Sequence, residues 1–400
     1  MKKKIVSILL VVSMMGLMLA GCGSSSSSSS DDSDSSDSTE TSSDTDSETD
    51  STAADTIANA PQAETETTKG SDEYDLTQVS ERTFTYGHVG ADGCSCDIPG
   101  DVLNEILQQK TDGLWSVEVY YGGQLGTDSS MVADVQSGSL DFYSANIANF
   151  QADIPEVAAF DMPFFYDNWD ELDEYLNYND ELYDELYDMF YEAGFVLLPW
   201  QVAGWRQISS NVELTSVDDF DGLNIRIPVL DSYITVFESL GSSPTAINSS
   251  ELYLALQQNM VSAQENPYDQ IYTYGFGEVQ DYITNSNHLV FFNQVVFSTQ
   301  TWEGLNEVEQ EILMDAAEEM AEYVKDWNKE VQDYYLEALQ TDYDMTFIDF
   351  DEIDGLRDEL RETSFDYCYE EIYAMIEEDG GDPTFLDEYI EMRGFSDMLE

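Results

Sequence analysis

The sequence predicts an α/β fold with largely parallel sheets. Two observations carry that expectation. Strand-like and helix-like segments alternate from about residue 80 onward, the order that βαβ units impose. Hydrophobic residues make up 42% and aromatic residues 12% of the chain, enough for a packed core despite a formal charge of −70.

The elements follow in order. Thr83–Val89 and Trp115–Tyr121 are short runs rich in β-formers, and Leu140–Ala145 and Phe195–Gln201 read alike. Between the last two, Leu182, Leu186, Met189 and Phe190 recur at i, i+4, i+7 and i+8, one apolar stripe on a helix otherwise made of Asp, Glu and Tyr. Leu223–Ile227 reads as a strand, and Glu251–Asn259 as a helix capped by Ser249 or Ser250. Val290–Ser298 is a long β-rich run. Asn306 opens the longest helical pattern, with Glu309 three residues on as a capping box. That helix runs toward Leu339 through Ile312, Ala316, Met320 and Val324.

The charge excludes whole classes of partner. With 83 Asp plus Glu against 13 Lys plus Arg, there is no basic footprint for nucleic acid and no polybasic face for anionic lipid. No internal repeat, GxGxxG, P-loop, HExxH or GxSxG stands at a suitable position, so no cofactor and no metal site is expected. Carboxylate pairs on the acidic helices suggest a hydrolase, but chance pairs are abundant in so acidic a chain, and none stands above that background.

The N-terminus reads as an export signal over residues 1–21. Lys2, Lys3 and Lys4 precede an apolar stretch from Ile5 to Ala20, short for a membrane span. Leu19-Ala20-Gly21-Cys22 resembles a bacterial lipobox, which implies cleavage before Cys22 and lipidation of its thiol. The alternative is an uncleaved anchor helix, which would ordinarily be longer. In both cases the folded part faces outward. From 22 to about 78 the chain is expected to be a disordered acidic linker, rich in Ser, Asp, Thr and Glu and poor in side chains that could offset the entropy of ordering. Of the other cysteines, Cys94, Cys96 and Cys368, an odd number, one bridge from the first pair to Cys368 is left open.

Positive charge is informative through its scarcity. Between Lys110 and Lys325 only Arg206 and Arg226 occur. In Leu223-Asn224-Ile225-Arg226-Ile227, strand alternation places Leu223, Ile225 and Ile227 on one face and Asn224 and Arg226 on the other. A permanently charged guanidinium there needs an anionic partner. That partner is either one of the many carboxylates of the chain or a ligand carboxylate, which the guanidinium fork matches bidentately.

Residues 204–267 carry the blocks GWRQISSN (204–211), DDFDGLNIRIP (218–228) and LGSSPTAINSSELYLALQQNMVSAQENP (240–267). Upstream stand GGQLGTDSSMVADVQSGSLDFYSANIANF (122–150), Pro155 and MPFF (162–165). Together these resemble the dicarboxylate-binding type of substrate-binding protein from tripartite ATP-independent periplasmic (TRAP) transporters, over roughly residues 80–375. The resemblance implies a two-domain periplasmic-binding-protein-like fold, with central sheets flanked by helices, hinge strands and one long domain-spanning helix. Residues 79–203 plus 292–331 would form domain I, 204–291 plus 332–385 domain II, and 386–400 a C-terminal tail or helix. It also implies a receptor for a small organic acid, anchored through its lipidated N-terminus outside the cytoplasm, that delivers ligand to the membrane subunits of a permease and performs no chemistry.

On the same resemblance, Arg226 is the principal carboxylate-binding arginine, Arg206 assists it, and Asn266 hydrogen-bonds the same carboxylate. Asp128 and Asn146 fall where the first domain contacts the rest of the ligand, and His88 lies near the end of the first strand, where another contact is expected. Ser249 stands where sialic-acid-binding members carry phenylalanine. Those members also carry glutamate and arginine where this chain has Asn146 and Asn149, so the distal part of the ligand is expected to be less charged. Ser262-Ala263 replaces the usual Asp-Gly before Gln264-Glu265-Asn266-Pro267. The other reading is an ABC-type sugar- or peptide-binding lipoprotein that relies on aromatic stacking, for which 25 Tyr, 19 Phe and 6 Trp are available.

Overall fold

The computed structural model describes residues 56, 57, 59–61, 67–176 and 181–399. The signal peptide, Cys22 and most of the expected linker lie outside these residues.

The chain builds one sheet, crosses to build a second, and returns. β1 (Arg82–Gly87) pairs in parallel with both β2 (Trp115–Tyr120) and β3 (Phe142–Asn146), and β4 (Phe195–Leu197) closes the first visit. Residues 198–204 then lead to the second sheet. It takes β5 (Trp205–Ser210), β6 (Asn224–Ile227), β7 (Ser243–Ala246), β8 (Ala263–Asn266), β9 (Tyr282–Thr284) and the short β10 (Leu289–Val290). After residues 291–292 the chain is back in the first sheet as β11 (Asn293–Ser298), antiparallel between β3 and β4. β12 (Thr346–Ile348) completes the second sheet. The strand orders are β2-β1-β3-β11-β4 and β12-β9-β5-β8-β6-β7, with β10 added beside β5.

Packing explains why these runs become strands. Every residue of β3 and β11 is buried, as befits strands covered on both faces. Phe84 of β1 meets Trp115, Phe142 and Phe297 edge to face at 5.2, 5.6 and 5.7 Å. Burying each such ring contributes about 1.5–3 kcal/mol. The expected strand Phe195–Gln201 stops at Leu197, because the residues after it cross between sheets. The Ser249–Gln257 helix has Asn248 at its N-cap and no side-chain cap, so neither Ser249 nor Ser250 plays the expected capping part.

The long helix runs over Glu307–Asp342, with the capping box of Asn306 and Glu309 formed. Its first half packs Ile312, Ala316 and Met320 into the core of the first sheet. Its second half packs Trp327, Val331, Tyr335 and Leu339 beside the second. One helix therefore joins both lobes.

The C-terminal segment, expected as a tail or helix, holds a helix at Thr384–Met392 with Phe385, Leu386, Tyr389 and Ile390 buried, and Arg393 binds the Phe165 carbonyl and Glu171. One expectation is corrected. The expected disorder stops short of residue 78, because the described part of 56–78 lies along the long helix. Thr56 Oγ1 donates to Asp342 at 2.8 Å, and Trp327 Nε1 donates to the Pro61 carbonyl at 2.7 Å. Thr68 N donates to Glu319 at 2.8 Å, while Lys69 Nζ and Tyr74 OH reach Asp315 at 2.7 and 2.8 Å. The buried Lys110 completes the clasp, donating to Glu319 at 3.0 Å and to the Lys69 carbonyl at 3.2 Å. Polar composition concealed this segment, since it is held by the acids of the helix rather than by an apolar core. Cys94, Cys96 and Cys368 are free and buried; Cys368 lies against Thr235 and the other two beside Ala203 and Phe291, so the bridge left open does not form.

A chain beginning at residue 75 should fold but melt about 3 °C below one beginning at residue 56, the shift expected for losing about 2 kcal/mol of clasp contacts. Scanning calorimetry of the two forms checks this, and equal melting temperatures would show that the segment adds nothing.

Candidate functional site

The two arginines come from neighbouring parts of the second sheet and meet different fates. Ile225 and Ile227 turn into the core, which commits Arg226 to the opposite face of β6. Its side chain is buried, and its Nε and one terminal nitrogen donate to the Ile247 carbonyl at 2.8 and 2.6 Å. Among the described residues no carboxylate lies within 4.0 Å of it. Burial lowers its pKa to about 10, and the field of Glu265 partly opposes that, so the guanidinium remains charged at neutral pH.

Arg206, on β5, is paired within the protein. The antiparallel register of β5 and β8 sets Gln207 opposite Asn266 and Ile208 opposite Glu265. Arg206 grips the Glu265 carboxylate with two nitrogens and also donates to the Glu265 carbonyl and to Asn266 Oδ1, each at 3.0 Å. The rings of Tyr233 and Phe291 stack over it at 5.4 and 4.9 Å. His288 Nε2 stands 3.4 Å from Glu265. Burial would raise the Glu265 pKa, but Arg206 overcomes it and holds the carboxyl below its usual range. Burial pulls His288 down, away from the charged form.

Both arginines line a cavity of about 80 Å³ between the sheets. Asn266 lines it too, with Nδ2 donating to Gln264 at 2.6 Å. The first lobe adds Asn146, at the end of β3, whose Nδ2 donates to Tyr233 OH at 2.6 Å. It also adds Asp128, in the first turn of the Asp128–Gln136 helix, where Oδ1 accepts from Tyr143 OH at 2.6 Å. Burial raises the Asp128 pKa, against the opposing hydrogen bond from Tyr143 and the field of Arg226. Ser249 lines the wall at the start of its helix.

The structure thus gathers six of the seven expected residues and leaves out His88. That imidazole is fully buried behind the wall, with Nε2 2.9 Å from Asp97 Oδ1. Asp97 follows it by nine residues and folds back onto it; only the next residues, Val89 and Gly90, reach the cavity. Sequence reasoning missed Cys96, Gln270, Tyr274 and Phe291. Gln270 and Tyr274 stand four apart after Asn266-Pro267, a helical spacing that puts both on one face.

Several lining residues also tie the lobes together. Tyr274 OH donates to the Val89 carbonyl at 2.7 Å, and Gln270 Nε2 to Cys96 Sγ at 3.3 Å. Asp269 accepts from Ser95 N at 2.7 Å. Ser232 Oγ donates to Asp161 at 2.5 Å, and burial raises the Asp161 pKa to about 7.

Comparison with known proteins identifies relatives of the chain. The family described as bacterial extracellular solute-binding protein, family 7, matches residues 92–373. The sialic acid-binding periplasmic protein SiaP of Vibrio cholerae is 30% identical over 221 residues, covering 55% of this chain and 68% of that protein. A TRAP periplasmic solute-binding protein from Roseobacter denitrificans, solved with bound L-galactonate, superposes with a TM-score of 0.67 at 26% identity, covering 75% of this chain and 99% of its own. Another from Desulfovibrio salexigens, solved with orotic acid, gives 0.72 at 23% identity, covering 78% and 98%; at that identity the likeness concerns the fold. Among the described residues, no helix is long and apolar enough to cross a membrane.

The two arginines should differ in stability experiments. Glu265→Gln should cost about 3–5 kcal/mol in urea unfolding, because it leaves the Arg206 charge buried without its counterion. Arg226→Met should be neutral or stabilising, since it removes a buried charge that has no such partner; a large loss would show that Arg226 serves the fold. Asp161 sets a pH dependence. Its folded pKa lies above the ordinary 3.8, so the folded state holds the extra proton and stability falls as pH rises from about 4 to 7. Asp161→Asn should therefore gain stability relative to the parent by about 1–4 kcal/mol between pH 4 and pH 8; parallel stability profiles would contradict this.

Proposed function

The chain belongs to bacterial extracellular solute-binding protein family 7, and on that premise we propose that it is the extracytoplasmic solute receptor of a TRAP transporter, which captures a small organic acid through a carboxylate contact with Arg226. One observation carries the arginine assignment: a buried guanidinium lining a cavity, with no carboxylate of its own among the described residues. The relatives support the ligand class, since proteins of this kind are named for or solved with sialic acid, L-galactonate, L-gulonate and succinate.

The mechanism follows from the geometry. A ligand carboxylate replaces water at the free edge of Arg226, and the planar fork offers it paired hydrogen bonds. Each hydrogen bond to a charged group contributes about 1.5–3 kcal/mol net. Arg206 is held rigid by Glu265 and presents Asn266 to the same space. The lobes, 79–203 with 292–331 and 204–291 with 332–385, swing on the crossings at 198–204 and 291–292. Asn146, Asp128 and Ser249 then complete the wall. Because Tyr233–Asn146 and Tyr274–Val89 bonds form only when the lobes meet, ligand shifts the balance toward closure by its differential affinity. The closed form presents a combined surface to a separate membrane permease. Cys22, lipidated, tethers the receptor outside the cytoplasm. Binding and release are the whole task; no covalent step is involved.

A thermal-shift screen over carboxylates, sugar acids and neutral sugars should show stabilisation by acids. With the strongest of these, Arg226→Ala should abolish binding in calorimetry while circular dichroism stays native, and Arg226→Lys should bind at least tenfold more weakly because one ammonium cannot reproduce the fork. Unchanged affinity in Arg226→Ala, or stabilisation by neutral sugars alone, would sink the proposal and favour a sugar receptor.

A further inference from the structure

The cavity lining is poor in charge. Arg206 is already neutralised by Glu265, which leaves Arg226 as the lining cation able to take another anion. Asp128 is the only lining carboxylate among the described residues. Its position in the first turn of the Asp128–Gln136 helix favours the ionised form through the positive end of the helix dipole. Burial pushes the carboxyl up and outweighs the hydroxyl of Tyr143 and the field of Arg226, which both act toward the ionised form. Elsewhere the wall offers neutral groups, among them Ser129, Asn149, Asn248 and Ser249.

We infer that the site selects a hydroxylated monocarboxylate and that Asp128 is the residue that rejects a second carboxylate. The inference rests on the reading of Arg226 as the anion site. Once one carboxylate has been placed on Arg226, the far end of the ligand meets an acceptor-only carboxylate and neutral amides and hydroxyls. A ligand hydroxyl can donate to Asp128 and accept from the amides. A second carboxylate has no proton to donate, gains no counterion, and faces a like charge in a site largely withdrawn from water, where repulsion is poorly screened. Length alone does not make this distinction, because an aldonate and its aldarate share one carbon skeleton.

Such matched pairs supply the test. Calorimetry on the intact receptor would compare D-gluconate with D-glucarate and D-galactonate with galactarate. The tighter-binding aldonate should exceed its aldarate by at least a hundredfold. Asp128→Asn keeps an acceptor for Tyr143 and should bring that ratio within about tenfold, chiefly by strengthening the aldarate; Asp128→Ala should do the same. A ratio has the advantage that a damaged fold weakens both ligands and leaves it unmoved. An aldarate bound as tightly as its aldonate would overturn the inference, as would a ratio unchanged in both variants. Binding of simple dicarboxylates in an Arg226-dependent way, with no member of either pair bound, would overturn it too, while leaving the carboxylate receptor intact. Binding of neutral sugars alone would remove the reading beneath it.

Discussion

The site depends on a division of labour set by one carboxylate. Glu265 stands beside Arg206 because β5 and β8 run antiparallel in a fixed register. It gives its charge to Arg206 and thereby leaves Arg226 uncommitted. Had the register differed by a residue, every side chain on these strands would have changed face, and the pairing with it. The protein thus contains one arginine paired with a carboxylate and, among the described residues, one without such a pair, in a single sheet. The desolvation of the second is a standing cost to the fold, offset by the buried aromatic and aliphatic cores of both lobes.

This arrangement reconciles the proposed anion receptor with a net charge of −70. The acids lie mainly on exposed helix faces, where salt screens them beyond about 8–10 Å. Where they are buried, each is occupied. Glu265 holds Arg206, Asp269 takes the Ser95 amide, and Asp161 takes the Ser232 hydroxyl. Even along the long helix the acids are used, since Asp315 and Glu319 bind the segment that leads in from the N-terminus.

Much of the architecture could be read from the sequence because it rests on local rules. Alternating β and α segments, the Asn306–Glu309 box and the apolar positions of the long helix each required only neighbours in the chain. Arg226 could be found because cations are scarce and strand alternation is strict. What stayed hidden depends on contacts between distant residues. Nothing local distinguishes Glu265 from 82 other acids as the partner of Arg206, a residue 59 positions away. His88 sits at the correct strand end, yet Asp97 draws it behind the wall. The last segment reads as tail or helix, and only distant contacts show that Phe385, Leu386, Tyr389 and Ile390 pack its apolar face into the core.

The thiol of Cys96 has a use that its neighbours did not suggest. It sits on the cavity wall, donating to Asn293 Oδ1 and accepting from Gln270, one residue from each side of the crossing. When the lobes are together, an alkylating reagent has little access to it. Parting on the proposed hinge would expose it. On the proposed hinge, the rate at which Cys96 and its neighbour Cys94 are labelled would therefore report opening, with no foreign dye and no engineered cysteine. Cys368, buried in a helix on the far side, would serve as the internal zero of that rate.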